Sequence, residues 1–328
     1  MTTTVSTLTI RRFRDDDYAA LAAIHNATFS EFAQTEDAFR FDDEKRPEKC
    51  KHARWIAERD GRAVGYAQFD QYPHIYHPHK FTVEVAVNHA YLQQGIGKAL
   101  YDTVIDALRP LDPIRLDMWS RDDMPCRVRF LRERGFVENF RVWTSELDLR
   151  AFDPSRFAHH VDAVFKQGVT ITTRAVMGDS SEQMKKLFDL QLAVRDDVPI
   201  PPDEERQPFV YEEWLENHDH PTRIDDGYFV AIADGQYVGV TNLWQSPEPD
   251  TIRTGLTAVR REYRRRGIAI ALKVRALAFA KEQGYRRTVT DNASMNEPML
   301  AINEQLGFRK NPAWFHAVAA WDAASRGR

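Results

Sequence analysis

The feature that most constrains this chain is an internal repeat with a constant spacing. Residues 85–100 (VAVNHAYLQQGIGKAL) are similar to residues 257–272 (TAVRREYRRRGIAIAL), so Gly95 aligns with Gly267, and 267 − 95 = 172. Further along, Gly135 aligns with Gly307, and 307 − 135 is again 172. Two glycine motifs that share one offset indicate a duplicated unit, and 328 residues are enough for two domains.

Each copy predicts the same series of elements. A strand-like run (8–13 or 169–174) and a helix-like segment precede a hairpin with an Asp-Gly turn. The next strand (81–87 or 252–259) enters a glycine loop and an amphipathic helix. A short strand, a helix ending at Gly135 or Gly307, and C-terminal strands complete the copy. The order β-α-β-β-β-α-β-α-β, present twice, predicts a mixed α/β (α+β) fold with domains 1–152 and 153–328.

Charge and hydropathy exclude several classes of protein. The formal net charge of −4 gives no basic field, so nucleic acid is not expected as a partner. No run approaches the roughly 18 apolar residues of a membrane helix, and the N-terminus does not have the pattern of a signal peptide. Two cysteines, Cys50 and Cys126, form no disulfide framework, which predicts a cytoplasmic protein.

The two glycine loops carry the clearest chemical signal. A strand that ends in a glycine loop and enters a helix presents free backbone N–H groups and the positive end of the helix dipole, which suits a pyrophosphate. The candidate residues of the first loop are Val87, Gln93, Gln94, Gly95, Ile96, Gly97 and Lys98. Those of the second are Arg264, Arg265, Arg266, Gly267, Ile268 and Ala269.

The second loop resembles the coenzyme A signature Gln/Arg-x-x-Gly-x-Gly/Ala of the GCN5-related N-acetyltransferases, the GNAT superfamily. The segment TDNASMNEPMLAINEQLGF (290–308) resembles a pattern of tandem GNAT proteins that include mycothiol synthase-like enzymes. This resemblance implies two domains with splayed sheets and acetyl-CoA as the co-substrate. It also implies that the backbone of Ala258 and Val259 binds the pantetheine arm and that Asn292, Asn296 and Asn303 line the channel.

The resemblance favours the C-terminal half as the active one. Subtracting 172 from the three asparagines gives Ser120, Met124 and Leu131, and Leu92 replaces the first residue of the signature. Many GNAT enzymes have a tyrosine acid at the position of Asn303, so the acid stays open. Glu84, on the strand that enters the first loop, is the candidate base, although a solvent-facing carboxylate is an equal interpretation; its counterpart is Leu256.

The expected reaction is direct transfer of an acetyl group to the primary amine of a small molecule. The segment 195–226 holds eleven acids against three arginines, which favours either a cationic acceptor or an ordinary solvated loop. The histidines of YPHIYHPHK and NHDHP lack a ligand framework, so no metal site is expected. Two alternatives are a non-catalytic coenzyme A sensor and an aminoacyl-tRNA-dependent transferase; the oligomeric state stays open.

Overall fold

The computed structural model describes residues 7–325. The strands are β1 (Leu8–Arg12), β2 (Ala53–Arg59), β3 (Arg62–Asp70), β4 (Lys80–Val87), β5 (Arg115–Arg121), β6 (Val137–Asp148), β7 (Thr170–Thr173), β8 (Arg223–Ala233), β9 (Gln236–Gln245), β10 (Thr251–Val259), β11 (Arg287–Ala293), β12 (Arg309–Lys310) and β13 (Trp314–Ala320). The helices are α1 (Tyr18–Thr28), α2 (Glu36–Glu44), α3 (Ile96–Leu108), α4 (Pro125–Glu133), α5 (Ala158–Lys166), α6 (Arg174–Met177), α7 (Ser181–Arg195), α8 (Tyr211–Glu216), α9 (Ile268–Glu282), α10 (Glu297–Leu306) and α11 (Trp321–Ala324). The predicted mixed α/β fold is confirmed.

The described chain packs as two compact units. Unit 1 holds residues 7–141, Pro201–Pro208 and 312–325, and unit 2 holds Val142–Ile200 and Phe209–Asn311. This division differs from a single boundary at residue 152. The C-terminal strand β13 belongs to unit 1, and most of β6 belongs to unit 2.

Unit 1 is built on a sheet in the order β1-β2-β3-β4-β5-β13. All neighbours are antiparallel except β4 and β5, which run parallel. Helix α3 packs on this sheet through Leu100, Val104 and Leu108, all completely buried. These residues recur at helical spacing, so the amphipathic pattern of the sequence places one face of α3 in the core.

Unit 2 repeats this arrangement with a sheet in the order β7-β8-β9-β10-β11-β6. Only β10 and β11 are parallel, and the short β12 pairs with β6. Helix α9 buries Ala271, Leu272 and Ala276 against the sheet. Both units therefore use the crossover helix after the glycine loop to cover one face of a sheet.

The Asp-Gly hairpins form where the sequence predicts them. Asp60 and Gly61 have φ of 51° and 73°, and Asp234 and Gly235 have φ of 50° and 74°. Two successive residues with positive φ make the turn whose twist matches antiparallel strands. Among residues 7–325, no helix has the length and apolar character needed to cross a bilayer.

Candidate active site

The two glycine loops have the same backbone conformation. Gly95 and Gly267 precede α3 and α9 with φ of 82° and 83°, and Gln93 and Arg265 both have φ of 60°. Neither helix has a side-chain hydrogen bond at its N-cap, whereas Ser180 caps α7 by accepting from the Gln183 N–H. The first-turn amides of α3 and α9 therefore remain available to an anion, which fits the phosphates of coenzyme A.

In the first loop the polar side chains are bound to neighbouring side chains and to a carbonyl group. Gln94 accepts a hydrogen bond from Arg59 and donates to the Ala90 carbonyl at 3.3 Å. Gln93 Nε2 lies 3.2 Å from Cys126 Sγ, and Lys98 pairs with Asp102 at 2.6 Å. Of the remaining loop candidates, Ile96 is buried in the core. A Cβ added at Gly97 would lie 3.7 Å from the side chain of Val87. Phosphate binding here would depend on backbone N–H groups.

In the second loop a carboxylate holds two of the arginines. Asp197 accepts hydrogen bonds from Arg261 at 2.7 Å and from Arg264, so the pKa of Asp197 lies below its ordinary value. Arg264 also donates to the Val259 carbonyl at 3.0 Å. Arg266 donates to the Glu262 carbonyl, and Ile268 is buried. Arg265 lies in the loop, and Ala269 lies in the first turn of α9.

Both parallel strand pairs separate beside these loops. β4 pairs with β5 only from Lys80↔Arg115 to Thr82↔Asp117, although both strands continue for several residues. β10 pairs with β11 only through Arg253↔Val289, and its pairing with β9 shifts by one residue between Thr254 and Thr257. This shift is a β-bulge, a feature often found next to active sites. Each unit thus has a cleft between two splayed strands, and Ala258 and Val259 line one side of it in unit 2.

The asparagines of unit 2 have different environments. Asn303 Nδ2 donates to Asn292 Oδ1 at 2.7 Å, and Asn303 is almost completely buried. Within residues 7–325, Asn303 Oδ1 has no hydrogen-bond partner. Asn296 precedes α10, and its carbonyl accepts from Leu300 N–H at 3.1 Å, but its side chain makes no cap. The structure therefore brings Asn292 and Asn303 together and leaves Asn296 at the helix start.

In unit 1, Glu84 is half-buried and joins a polar cluster. Tyr66 donates to Glu84 Oε1, and His25 Nδ1 lies 2.8 Å from the Tyr66 hydroxyl and 3.6 Å from Glu84 Oε1. His25 Nε2 lies 3.1 Å from the Phe32 carbonyl, to which it can only donate. The single hydroxyl proton of Tyr66 can go to either Glu84 or His25, so the three groups share a proton.

The electrostatics of the cluster keep Glu84 ionised. Burial acts to raise the pKa of Glu84, but His25, the Tyr66 hydroxyl and the positive charge of Arg127 together hold that pKa below its ordinary value. Burial and the adjacent Glu84 carboxylate raise the pKa of Tyr66 well above its ordinary value, so its hydroxyl stays protonated. Sequence reasoning identified Glu84 but missed His25 and Tyr66, because neither belongs to a motif; only the α1–β3 packing brings them to Glu84.

Arg127 of α4 lies across the opening between the splayed strands of unit 1. Its Nε donates to the Trp119 carbonyl of β5 at 2.7 Å, and its Nη1 donates to the Val85 carbonyl of β4 at 2.6 Å. The guanidinium also stacks over the Phe29 ring, 5.1 Å from its centroid. Sequence reasoning did not single out Arg127, whose counterpart in the second repeat is Met299 (127 + 172).

Part of the acidic segment 195–226 is engaged in ion pairs. Glu204 contacts Arg115 and Lys80 in unit 1. In unit 2, Asp225 pairs with Arg174 at 2.6 Å, and Asp197 holds the loop arginines. Asp197, Glu204, Asp219 and Asp225 of this segment are therefore paired with basic side chains. Within the described residues, no cluster of three or more His, Cys, Asp or Glu side chains is arranged to hold a metal ion.

Comparison with known proteins identifies partial relatives. N-acetyltransferase family 8 member 2 of Rattus norvegicus is 31% identical over 96 residues, which cover 28% of this chain and 42% of the rat protein. The N-acetylaspartate synthetase of Rattus norvegicus is 32% identical over 91 residues, which cover 28% of this chain and 30% of that protein. The matched regions span less than half the length of these curated relatives.

Solved structures share the fold over almost the whole chain. A tandem GNAT protein from the clavulanic acid biosynthesis pathway has a TM-score of 0.72 at 19% identity and covers 96% of this chain and 99% of that one. A GCN5-related N-acetyltransferase from Sphaerobacter thermophilus has a TM-score of 0.66 at 16% identity, with 96% of both chains covered. The model of the acetyltransferase (GNAT) family matches residues 18–136 and 188–308. This chain therefore belongs to the GNAT family and carries two tandem GNAT domains.

Proposed function

We propose that this protein is an acetyl-CoA-dependent N-acetyltransferase that transfers an acetyl group directly to the primary amine of a small molecule, and that unit 1 carries out the chemistry. The observation behind this proposal is the Glu84–Tyr66–His25 cluster, because Glu84 lies on β4, the strand that enters the first glycine loop. Unit 2 has the same loop and cleft, but Leu256 stands where unit 1 has Glu84. Two free cysteines, Cys50 and Cys126, are compatible with action in the reducing cytoplasm.

Bound acetyl-CoA would supply a thioester whose acyl carbon accepts the amine. The open amides at the start of α3, from Gly95 onward, would hold the pyrophosphate, and the pantetheine arm would lie along the splayed ends of β4 and β5 beside the Arg127 guanidinium that bridges them. The corresponding groups of unit 2 are the loop 264–269 and the backbone of Ala258 and Val259. A backbone N–H at the inner end of either cleft could stabilise the developing oxyanion.

Glu84 would attract and then deprotonate the acceptor amine. An ordinary amine has a pKa of about 10, so it arrives as an ammonium ion. The ammonium must first lose one proton to solvent, because only the neutral amine can attack the acyl carbon. Because the pKa of Glu84 is lowered, Glu84 is a weak base; it accepts the second proton, which the nitrogen releases once it has bonded to the acyl carbon. The proton can then pass to the pair formed by Tyr66 and His25.

The same step breaks the carbon–sulfur bond and releases coenzyme A as a thiolate. A thiol with a pKa of about 8.5 leaves without full protonation. Leu131 and Asn303 occupy the positions where many GNAT enzymes have a tyrosine acid, so solvent would supply the last proton. Asn303 would contact the coenzyme in unit 2 through its unpartnered Oδ1.

The Glu84→Gln variant tests this proposal. We expect turnover of a primary amine with acetyl-CoA to fall about 10²–10⁴-fold, the usual contribution of general base catalysis. Calorimetric titration with acetyl-CoA should be unchanged, because Glu84 does not belong to the loop. Glu133→Gln, at an exposed position on α4, is the matched control and should keep wild-type turnover.

Three alternatives predict different outcomes. If the C-terminal half is active, Asn303→Ala should abolish turnover and Glu84→Gln should not. A non-catalytic coenzyme A sensor would bind acetyl-CoA but acetylate no amine. A transferase that uses aminoacyl-tRNA would retain tRNA without binding coenzyme A, and the net charge of −4 argues against it.

A further inference from the structure

Among the residues that the structure describes, Arg127 of unit 1 has no carboxylate partner, unlike Arg54 and Arg115. Arg54 pairs with Asp43 at 2.8 Å, and Arg115 pairs with Asp117 at 2.6 Å. Arg127 instead donates to two neutral carbonyls, one on each splayed strand. In the described part of the chain, its Nη2 donates no hydrogen bond and no carboxylate lies within ion-pair distance of it.

Hydrogen-bonding a partly buried guanidinium only to neutral carbonyls is energetically costly, and a carboxylate on a ligand would reduce this cost. Burial lowers the pKa of Arg127, which reports this cost. The two backbone hydrogen bonds fix the guanidinium plane, so Nη2 and the second hydrogen of Nη1 have a defined direction. Such a fixed guanidinium is well suited to bind a carboxylate through two hydrogen bonds.

The inner end of the cleft thus presents one cation and one anion. Arg127 contacts the carbonyl of Val85, the residue that follows Glu84, and the two charges interact electrostatically. A polyamine or aminoglycoside would supply no carboxylate to the remaining N–H donors of Arg127. A molecule with a carboxylate and an amine close together complements both charges.

We infer that Arg127 binds the carboxylate of the acceptor and that the acceptor is an amino acid whose amine faces Glu84. This inference rests on the proposed function of unit 1. Arg127 then determines specificity: its guanidinium would place the amine next to the base and the acyl carbon. The anchoring of Arg127 to both strands also couples acceptor binding to the width of the cleft.

The test compares matched acceptors in the full-length protein. A panel of amino acids is assayed with acetyl-CoA beside the corresponding amides and decarboxylated amines. For wild type, we expect amino acids to exceed their uncharged partners in kcat/KM by about 100-fold, the effect of one lost charge-assisted interaction. In Arg127→Met this preference should disappear, mainly through a raised KM for the amino acid relative to its amide and amine.

Two further variants keep the inference falsifiable if Arg127→Met is poorly folded. Arg127→Lys retains a charge but not the planar donor pair, so it should recover only part of the preference. Arg129→Met, an exposed change on the same helix, should behave as wild type. Equal use of amino acids and their amides by the wild-type protein would overturn the inference, even if acetyl transfer itself is confirmed.

Binding separates this inference from the proposed function. Calorimetry with amino acids and amides needs no turnover, so carboxylate-dependent binding that is lost in Arg127→Met would support the role of Arg127 even without catalysis. If Arg127→Met instead tightens acetyl-CoA binding and leaves amino acid binding unchanged, Arg127 is an obstruction in the coenzyme cleft and the inference is wrong.

Discussion

Glu84 and Leu256 occupy equivalent positions in the two repeats, yet only Glu84 can accept a proton. The two repeats also differ at other positions: Arg127 of the first repeat corresponds to Met299 of the second, and Ser120 corresponds to Asn292. At the scale of single residues, the two copies have kept the loop that suits phosphate and have changed the groups around the cleft. We therefore expect chemistry and coenzyme binding to respond to different substitutions.

Lys273 gives a prediction at the same scale. This residue of α9 is almost completely buried, and its Nζ lies 5.4 Å from the centroid of the Phe308 ring. Burial lowers the pKa of Lys273 to about 8. Because the unfolded chain keeps an ordinary lysine pKa of about 10.4, the unfolded state binds more protons between pH 8 and 10, and stability rises with pH in that window.

We expect Lys273→Met to stabilise unit 2 at pH 7 by about 3 kcal/mol, and this gain should shrink as the pH rises from 8 to 10. Urea denaturation at several pH values measures both effects. Lys185→Met, at an exposed position on α7, serves as the control. A gain that does not vary with pH would show that side-chain shape, and not the charge, is responsible.

At the scale of elements, each loop combines a positive φ with an uncapped helix start. A Cβ at Gly95 would meet nothing within 4 Å, and one at Gly267 only Val164 at 3.8 Å, so neighbouring atoms do not exclude a side chain. The requirement for glycine comes from the φ values of 82° and 83° and from the close approach of a phosphate. An acidic side chain at either glycine would strain the backbone, and its carboxylate would also repel the phosphate.

We expect Gly95→Asp and Gly267→Asp each to remove one acetyl-CoA site from a calorimetric titration if both units bind the coenzyme. Gly61→Asp and Gly235→Asp are matched controls, because these hairpin glycines have φ of 73° and 74° and a Cβ there would also meet open space. The controls should cost similar stability, about 1 kcal/mol, without loss of binding. Equal binding in all four variants would contradict a role for the loops.

At the scale of the whole molecule, the two repeats exchange strands. β13 comes from the second copy and pairs with β5 of unit 1 along seven register positions, from Trp314↔Arg121 to Ala320↔Arg115. Residues 142–148, which come from the first copy, pair with β11 in unit 2. Trp314 also packs against Phe29 and Phe32, next to the Glu84 cluster. The candidate site of unit 1 therefore depends on the last part of the chain.

Deletion of residues 312–328 should destabilise unit 1 selectively. It would expose the β5 edge and uncover Leu116 and Met118, which are buried beneath it. In hydrogen exchange, β5 amides should lose protection while β11 amides, paired with β6, keep theirs. Deletion of 326–328 alone is the control. Equal loss of protection in β5 and β11 would contradict the selective effect.

The repeat, the two Asp-Gly hairpins and the glycine loops are local signals, and the sequence by itself determined them together with the family. Turn chemistry, helical periodicity and positive-φ glycines act over a few residues, so they can be read without knowing the fold. The proton-sharing cluster and the strand exchange were decided only by the tertiary structure. His25, Tyr66 and Arg127 lie on three different elements, and sheet pairing of β13 depends on backbone hydrogen bonds that leave no mark in the residue types. Contacts between residues far apart in the sequence bring these side chains and strands together, and short-range sequence patterns do not predict such contacts.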